Sequence, residues 1–447
     1  MRIIDKHTVR LLFIITCITL VTGLSFAQED INLNKAIRIG LSNNYGIKIL
    51  KIETDITQNQ LVNVNKSRLP KVDLFARQQN NVNNNRSPTS FVQGFYSDRG
   101  LNFGVDANWI IFEGFKARLD KSRLEKLELQ SKGNTMLLVE NTIHAIMLSY
   151  YNTLIKRESV EVQYESSIRS KQRYADAKFQ YQNGKVSGYD LLRFENAMLL
   201  DSTNTIIQKS EFDLAMQSLN LAMGNKIFKD YKLTDELEYQ REDYQFNKLQ
   251  QKMNSLNSEL QQQYLNLMLR RNDIGMLRAN RLPKLAINSG LAQNINSTKF
   301  PEIERIKGGS FNFYLNFSVS YNLFDGGQIN RAIEEGRLKE KIADLNIEEV
   351  KQELSNTLKN AIINYNSQLK IIKINEKLIA NLGQNLILEK DRYKNGFSSL
   401  LEYRSLQQEN MDAEQTRLEA IYELLINETE ILKLTGSLLK YYPENRR

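Results

Sequence analysis

The sequence predicts a mixed α+β membrane protein that arose by internal tandem duplication. Three observations carry this prediction: an amino-terminal export signal, four motifs that recur in order at one spacing, and segments of strict period two beside very long segments of helical period.

The export signal comes first. Arg2, Lys6 and Arg10 form a basic leader, Leu11 to Leu24 is largely apolar, and Ser25-Phe26-Ala27 is a small-x-small cleavage site. Residues 1–27 therefore read as a secretory signal peptide cut after Ala27. Cys17 sits inside the apolar run behind Ile14-Ile15-Thr16, where a lipidated cysteine would need a small residue just before it. Its removal leaves no cysteine and a single histidine, His144. Disulfides do not hold such a chain together, and thiolate or imidazole metal centres lack their ligands. No cofactor is expected.

Composition narrows the class further. With 41% hydrophobic and 25% charged residues, the chain is neither disordered nor a bundle of membrane helices. Beyond the signal there is no run of about eighteen apolar residues, so no transmembrane helix is expected. An exported chain of this kind enters a membrane as strands or not at all. The 60 Lys+Arg and 52 Asp+Glu alternate closely, as in Lys121 to Glu128. That is a solvated helix face, and no nucleic-acid partner is expected.

The duplication is visible in four motif pairs. Arg68-Leu69-Pro70-Lys71 returns as Arg281-Leu282-Pro283-Lys284, and Phe112-Glu113-Gly114 as Phe324-Asp325-Gly326. Tyr181-Gln182-Asn183-Gly184 returns as Tyr393-Lys394-Asn395-Gly396, and Leu221-Ala222-Met223-Gly224 as Lys433-Leu434-Thr435-Gly436. Four pairs in one order at one spacing define two repeats, residues 28–235 and 236–447.

Each repeat reads helix, strand, loop, strand, long helix, turn, helix. Helical period dominates at about 115–180 and 328–392, and each stretch ends at a Tyr-x-Asn-Gly whose Asn-Gly supplies the left-handed stop. At 1.5 Å per residue such helices reach roughly 100 Å, which implies a coiled-coil-like body. The strands are expected at about 71–79, 101–112, 285–293 and 311–324. Phe311, Phe313, Leu315, Phe317 and Val319 alternate with polar residues, and Leu101, Phe103, Val105 and Trp109 do the same. One greasy and one polar face suits a barrel strand with lipid outside and water inside. The stretches Asn80 to Gly100 and Asn294 to Gly309 are expected as loops joining each pair. Four strands cannot close a barrel, and an open edge in lipid is forbidden, so the strands must be completed by further copies. Three copies would supply twelve.

These features resemble the TolC-like family of bacterial outer-membrane efflux channels over nearly the whole mature chain. The resemblance rests on Leu33-Asn34-Lys35-Ala36 with Asn43-Asn44, on the two Arg-Leu-Pro corners, and on Tyr321 to Gly327 leading into a long helix. It rests also on the two Tyr-x-Asn-Gly turns followed by Ser and then Asp190 or Glu402. It implies a homotrimer whose shared twelve-strand outer-membrane β-barrel continues into a long periplasmic α-helical barrel. It also implies an exit duct of a tripartite efflux or type I secretion system, located in the bacterial outer membrane with a large periplasmic portion. Implied partners are outer-membrane lipid, a periplasmic adaptor (membrane fusion) protein met at the turns Asn183-Gly184 and Asn395-Gly396, and an inner-membrane pump. Pro70, Gly114, Pro283, Gly326 and Gly327 would form the strand–helix corners.

Family members constrict the tunnel end with acidic residues just past the turns, and the matching positions here are Asp190 and Glu402. Asp190 reads equally as an ordinary first-turn carboxylate favoured by the helix dipole, whereas for Glu402 the match favours the pore. The sequence departs from the family at Ser405, where a second acid is often found, and at Ser398, where some members carry a basic bridge partner. An enzyme lacks its usual parts here. A periplasmic coiled-coil adaptor or structural protein without a pore would explain export and helices, but not two matched amphipathic strand pairs.

Overall fold

The structure is a computed structural model that describes residues 29–89, 93–300 and 304–441. The signal expected over 1–27 lies outside the described residues. The chain divides into two compact units, one of Gly46–Leu138 with Asn254–Ser355, the other of residues up to Tyr45, Val139–Met253 and Asn356 onward. In chain order the elements are β1 (Glu29–Ile31), α1 (Leu33–Asn43), α2 (Tyr45–Asn63), β2 (Lys71–Asn85), β3 (Gly94–Glu113), α3 (Lys116–Gln182) and α4 (Gly188–Ala222). They continue as β4 (Tyr231–Leu233), α5 (Phe246–Leu256), α6 (Ser258–Ala279), β5 (Lys284–Lys299), β6 (Ile306–Ser320), α7 (Gln328–Lys394) and α8 (Leu400–Leu434). No helix among the described residues is long and apolar enough to cross a membrane.

The first unit is built on one antiparallel sheet of order β2-β3-β5-β6. Its register lines Leu74, Val105, Leu291 and Phe313 in one row, and Asp73, Asp106, Gly290 and Tyr314 in the next. The two rows face opposite ways because side chains alternate along a strand. On the polar face the Tyr314 hydroxyl donates to Asp106 Oδ1 at 2.6 Å. On the apolar face Phe313 remains 67% exposed and Phe317 73%, so nothing among the described residues covers that face. Strands β2 and β6 are both edges.

The strands are longer than the alternation suggested. β2 runs to Asn85, β3 begins at Gly94, β5 runs to Lys299 and β6 begins at Ile306. The expected loops Asn80–Gly100 and Asn294–Gly309 are thus mostly paired strand. Their Asn, Ser and Thr residues are polar on both faces, so period two leaves no hydropathy trace, while backbone pairing continues regardless. At the other end β6 stops at Ser320 rather than at 324. Its partner β5 begins at Lys284, which faces Ser320, and leaves Tyr321 to Phe324 nothing to pair with.

Helix α6 packs in the same unit against the beginnings of the long helices. Arg123 of α3 pairs with Asp273 at 3.3 Å, and Arg271 pairs with Glu340 of α7 at 2.8 Å. Asn257 caps α6, its side chain accepting from Leu260 N–H at 2.9 Å.

The second unit joins distant parts of the chain through a small parallel pair, β1 with β4. Ile31, Ile37, Ile143, Ile146, Tyr150 and Leu219 are almost wholly buried beneath it. Asp235 organises the polar side of this core. Its Oδ2 accepts from Leu33 N–H at 2.8 Å, at the start of α1, and from the Tyr150 hydroxyl at 2.8 Å. Arg157 donates to the carbonyls of Leu233 and Asp235, both at 2.9 Å. Burial and the neighbouring carboxylate push the Tyr150 hydroxyl well above its ordinary pKa, so it remains a donor at any physiological pH.

A buried hydrogen bond to a charged group contributes roughly 1.5–3 kcal/mol. Tyr150→Phe should therefore lower stability by about 2 kcal/mol, read as a shift of the urea-unfolding midpoint in detergent. Tyr151→Phe, lacking the Asp235 bond, serves as the control.

Candidate functional site

Each long helix ends on a glycine stop and a serine cap. At the end of α3, Gly184 has φ +72°, and Lys185 N–H reaches back to the Gln180 carbonyl at 2.9 Å. At the end of α7, Gly396 has φ +76°, and Phe397 N–H reaches the Arg392 carbonyl at 2.9 Å. These left-handed positions and backward bonds satisfy carbonyls that the helix itself leaves open. Asn183 and Asn395 add side-chain bonds of 2.8 Å to the carbonyls of Phe179 and Asp391.

Asp190 and Glu402 stand on the far side of these turns, each at the third position of the returning helix. Ser187 caps α4: its hydroxyl accepts from Asp190 N–H at 3.1 Å and donates to Asp190 Oδ2 at 2.7 Å. Ser399 caps α8 with a complete capping box, Glu402 Oε2 accepting from Ser399 N–H at 2.8 Å and Glu402 N–H donating to Ser399 Oγ at 3.2 Å. The Ser398 hydroxyl lies between Glu402 and Glu389. The Ser399 N–H, helped by the two hydroxyls, holds the Glu402 carboxyl below the usual carboxylate range. Both acids therefore secure their own helix starts, and no hydrogen bond or ion pair joins one to the other among the described residues.

Behind the turns lies a cluster that the sequence did not single out. Asp201 of α4, 4% exposed, pairs with Arg404 of α8 through two contacts of 2.9 and 3.3 Å. Ser170 of α3 bonds the same carboxylate, and Arg173 donates to Ser170 at 3.0 Å. Arg173 lies 5.7 Å from the centre of the Tyr403 ring, which stacks on Tyr393 of α7 at 5.9 Å and 9°. Four helices meet on this one group. Arg404 pairs with the carboxylate directly and Arg173 reaches it through Ser170, and burial with the charge of Arg404 draws the Arg173 pKa down. Tyr393 is pushed up by burial and by the charge of Asp190. Beside it is a cleft of about 470 Å3, lined among others by Arg169, Arg173, Phe194 and Lys390. Asp201 and Arg404 are too far apart in sequence for any motif to show them together.

The strand–helix corners differ between repeats. Pro70 lies between a short 3-10 turn (Val64–Arg68) and β2, behind Leu69 in extended geometry (φ −76°, ψ 153°). Pro283 lies between α6 and β5. In both places a residue without N–H opens a strand, where no ladder bond is lost. At the outgoing corners Gly114 has φ +59° and Gly326 and Gly327 have φ +64° and +80°, but Phe115 stands at φ +65° where the second repeat has Gly327. A Cβ on Gly114 would fall 2.2 Å from the Ala279 carbonyl oxygen, while one on Gly326 would meet nothing within 4 Å. Asp325 steadies the second corner by accepting from the N–H groups of Gly327 and Ile329, both at 2.8 Å.

His144 is half-buried with Nε2 3.0 Å from Glu430, and no group of described residues is arranged to hold a metal ion.

Removing one partner of a buried ion pair typically costs about 3–5 kcal/mol. Asp201→Ala should be destabilising on that scale, because Arg404 loses its buried partner, and thermal unfolding should show it. The Glu402 contribution should instead depend on pH. A depressed carboxyl pKa stabilises above the unfolded pKa, and that contribution is lost as pH falls through the folded value. Amide exchange at residues 397–404 should be faster in Glu402→Ala at neutral pH, with the difference closing in acid.

Residues 249–437 match the family model described as outer membrane efflux protein. No curated protein sequence matches the chain. Among solved structures, the Campylobacter jejuni outer membrane channel CmeC superposes with a TM-score of 0.76 at 16% identity, covering 91% of this chain and 85% of its own. CusC, described in terms of transmembrane channel formation, gives 0.73 at 17%, covering 92% and 93%. The open state of the Neisseria gonorrhoeae channel MtrE gives 0.70 at 15%, covering 91% and 89%. At these identities the likeness is one of fold. Residues 249–437 thus match the outer membrane efflux protein family model, and the chain as a whole has the fold of the outer-membrane channels CmeC, CusC and MtrE.

Proposed function

We propose that this chain forms a homotrimeric exit duct, its four strands contributing to a shared twelve-strand outer-membrane barrel and its long helices to a periplasmic α-helical barrel. The observation that carries the reading is the bare sheet. Its apolar face is uncovered and both edges are open, a state that lipid tolerates only after closure by other copies. From Trp109 to Leu101 the greasy face climbs about 27 Å along the strand, which at a tilt of about 35–45° gives a band of about 19–22 Å, somewhat under the roughly 25 Å of membrane barrels.

The tandem duplication is supported by matched element lengths: α3 and α7 have 67 residues each, and α4 and α8 have 35 each. On this reading the turns at Asn183-Gly184 and Asn395-Gly396 face a periplasmic adaptor that connects to an inner-membrane pump. Asp190 and Glu402 ring the tunnel end as its gate. Their cap bonds do not remove their charge, and three carboxylates around an axis favour cations and repel anions where the tunnel is narrow.

Mass measurement in detergent should give three times the chain mass; a β-rich conducting monomer would overturn closure by copies. In planar bilayers, Glu402→Ala should lose cation selectivity and multivalent-cation block relative to wild type. Unchanged selectivity and block would remove Glu402 from the gate and leave it a helix-cap residue.

A further inference from the structure

The register of the sheet brings three cations together on its apolar face. The rows of that face run from Trp109, Ile287 and Phe317 up to Gln78, Leu101, Ile295 and Gly309. The next row holds Asn80, Arg99, Ser297 and Lys307, and the one after it holds Val82, Ser97 and Lys299. Arg99, Lys299 and Lys307 come from three adjacent strands and all are exposed. With neighbouring strands about 4.8 Å apart, Arg99 and Lys307 lie roughly 10 Å from each other, with Lys299 on the strand between them.

No acidic residue of the described strands shares their face, and none of the three cations has an ion-pair partner among the described residues. The nearest acid in the register, Asp98, belongs to the opposite face, where it accepts from Thr298 Oγ1 at 2.6 Å and Asn83 Nδ2 at 3.2 Å. The opposite end of the sheet is organised differently. There Lys71 is paired with Asp73 at 2.9 Å, and Lys284 lies 3.9 Å from Glu113. Ion pairs are thus recorded for the lysines at the end near the helices, and none for Arg99, Lys299 or Lys307 among the described residues.

Position gives this imbalance a meaning. A Lys or Arg on the lipid face of a barrel costs about 2–4 kcal/mol at mid-membrane and close to nothing at the interface. The three cations sit just where the greasy band ends. Val82 and Phe95 stand beside and beyond them, both exposed, so the site is an interface rather than open water. Long basic side chains bury their stems against apolar surface and extend their heads to the polar layer. The anionic groups of that layer are phosphates, which guanidinium binds bidentately and ammonium as a point charge.

We propose that Arg99, Lys299 and Lys307 form a docking site for the phosphorylated headgroup of a membrane lipid, at the rim of the sheet away from the helices. This rests on the membrane reading of the sheet. The three side chains hold one headgroup across β3, β5 and β6, and so also tie these strands to the bilayer at a fixed depth.

The test uses the full-length protein in detergent, titrated with bisphosphorylated lipid A and with the same lipid A after enzymatic dephosphorylation, bound lipid being counted by native mass spectrometry. Wild type should bind the phosphorylated form at least tenfold more tightly. The triple variant Arg99→Gln/Lys299→Gln/Lys307→Gln should lose that preference, and Lys71→Gln should keep it. Lys307→Gln alone should weaken binding about threefold and Lys307→Arg should restore it, which guards against a misfolded triple variant. A triple variant that keeps the preference would overturn the site. Inorganic phosphate that displaces lipid A at equal concentration would overturn it too, by reassigning the cluster to a free anion. Channel recordings separate the two readings: wild type that never conducts defeats the membrane placement, whereas conducting wild type and triple variant with equal lipid binding defeat the lipid site alone.

Discussion

Everything in the sheet unit follows from the backbone hydrogen bonds that β2 and β6 leave unmade along their outer sides. A row of unpaired N–H and C=O groups is an aggregation hazard in water and prohibitively costly in hydrocarbon. Beyond Lys307 at its start, β6 carries no charge or proline, and its exposed face alternates Phe311, Phe313, Leu315, Phe317 and Val319. A strand so long and greasy at an edge is what the proposed pairing with another copy would cover. The row on the opposite face is polar, with Tyr314 bonded to Asp106 across Gly290.

The second constraint is the reversal of direction at the ends of α3 and α7. A helix of 67 residues followed at once by one of 35 requires both a stop and a start within a few residues. Glycine in the left-handed region provides the stop and serine with a third-position acid provides the start. The same carboxylates that attract attention as gate residues are therefore committed to the turn's geometry. A charge that is already held by a cap can be presented at a fixed place without further packing, so the cap is compatible with the proposed gate. The buried Asp201–Arg404 pair behind them fixes α8 against α4, and hence fixes where each carboxylate is presented.

Much of this fold was legible in the residues, for reasons that also explain the gaps. The strands could be read at Phe311 to Val319 because lipid-facing positions there are aromatic or branched, and could not be read at Asn80 to Asn85 because both faces are amide. The tips were legible because Asn-Gly has few uses other than to stop a helix. Asp201, Arg404 and Arg173 were invisible, since each looks like one more charge on a solvated helix until the fold places them around one carboxylate. Asp235 was missed likewise: its partners Leu33 and Tyr150 lie in other parts of the chain. Phe115 is a local exception, a bulky side chain at positive φ where the duplicate position has glycine, and the cost of about 1–2 kcal/mol that such geometry carries is borne at one corner only.

The short parallel pair β1–β4 has a consequence in time rather than in space. Glu29 pairs with Tyr231, and the unit they close also draws on residues beyond Asn356. Residues 29–31 thus find their strand partners only after about half of the polypeptide has been made, and the rest of their unit later still. Contacts of such long sequence separation form slowly, because loop-closure entropy is lost before any packing is gained. The nascent chain is consequently kept from completing this unit until the residues from Asn356 onward have been made.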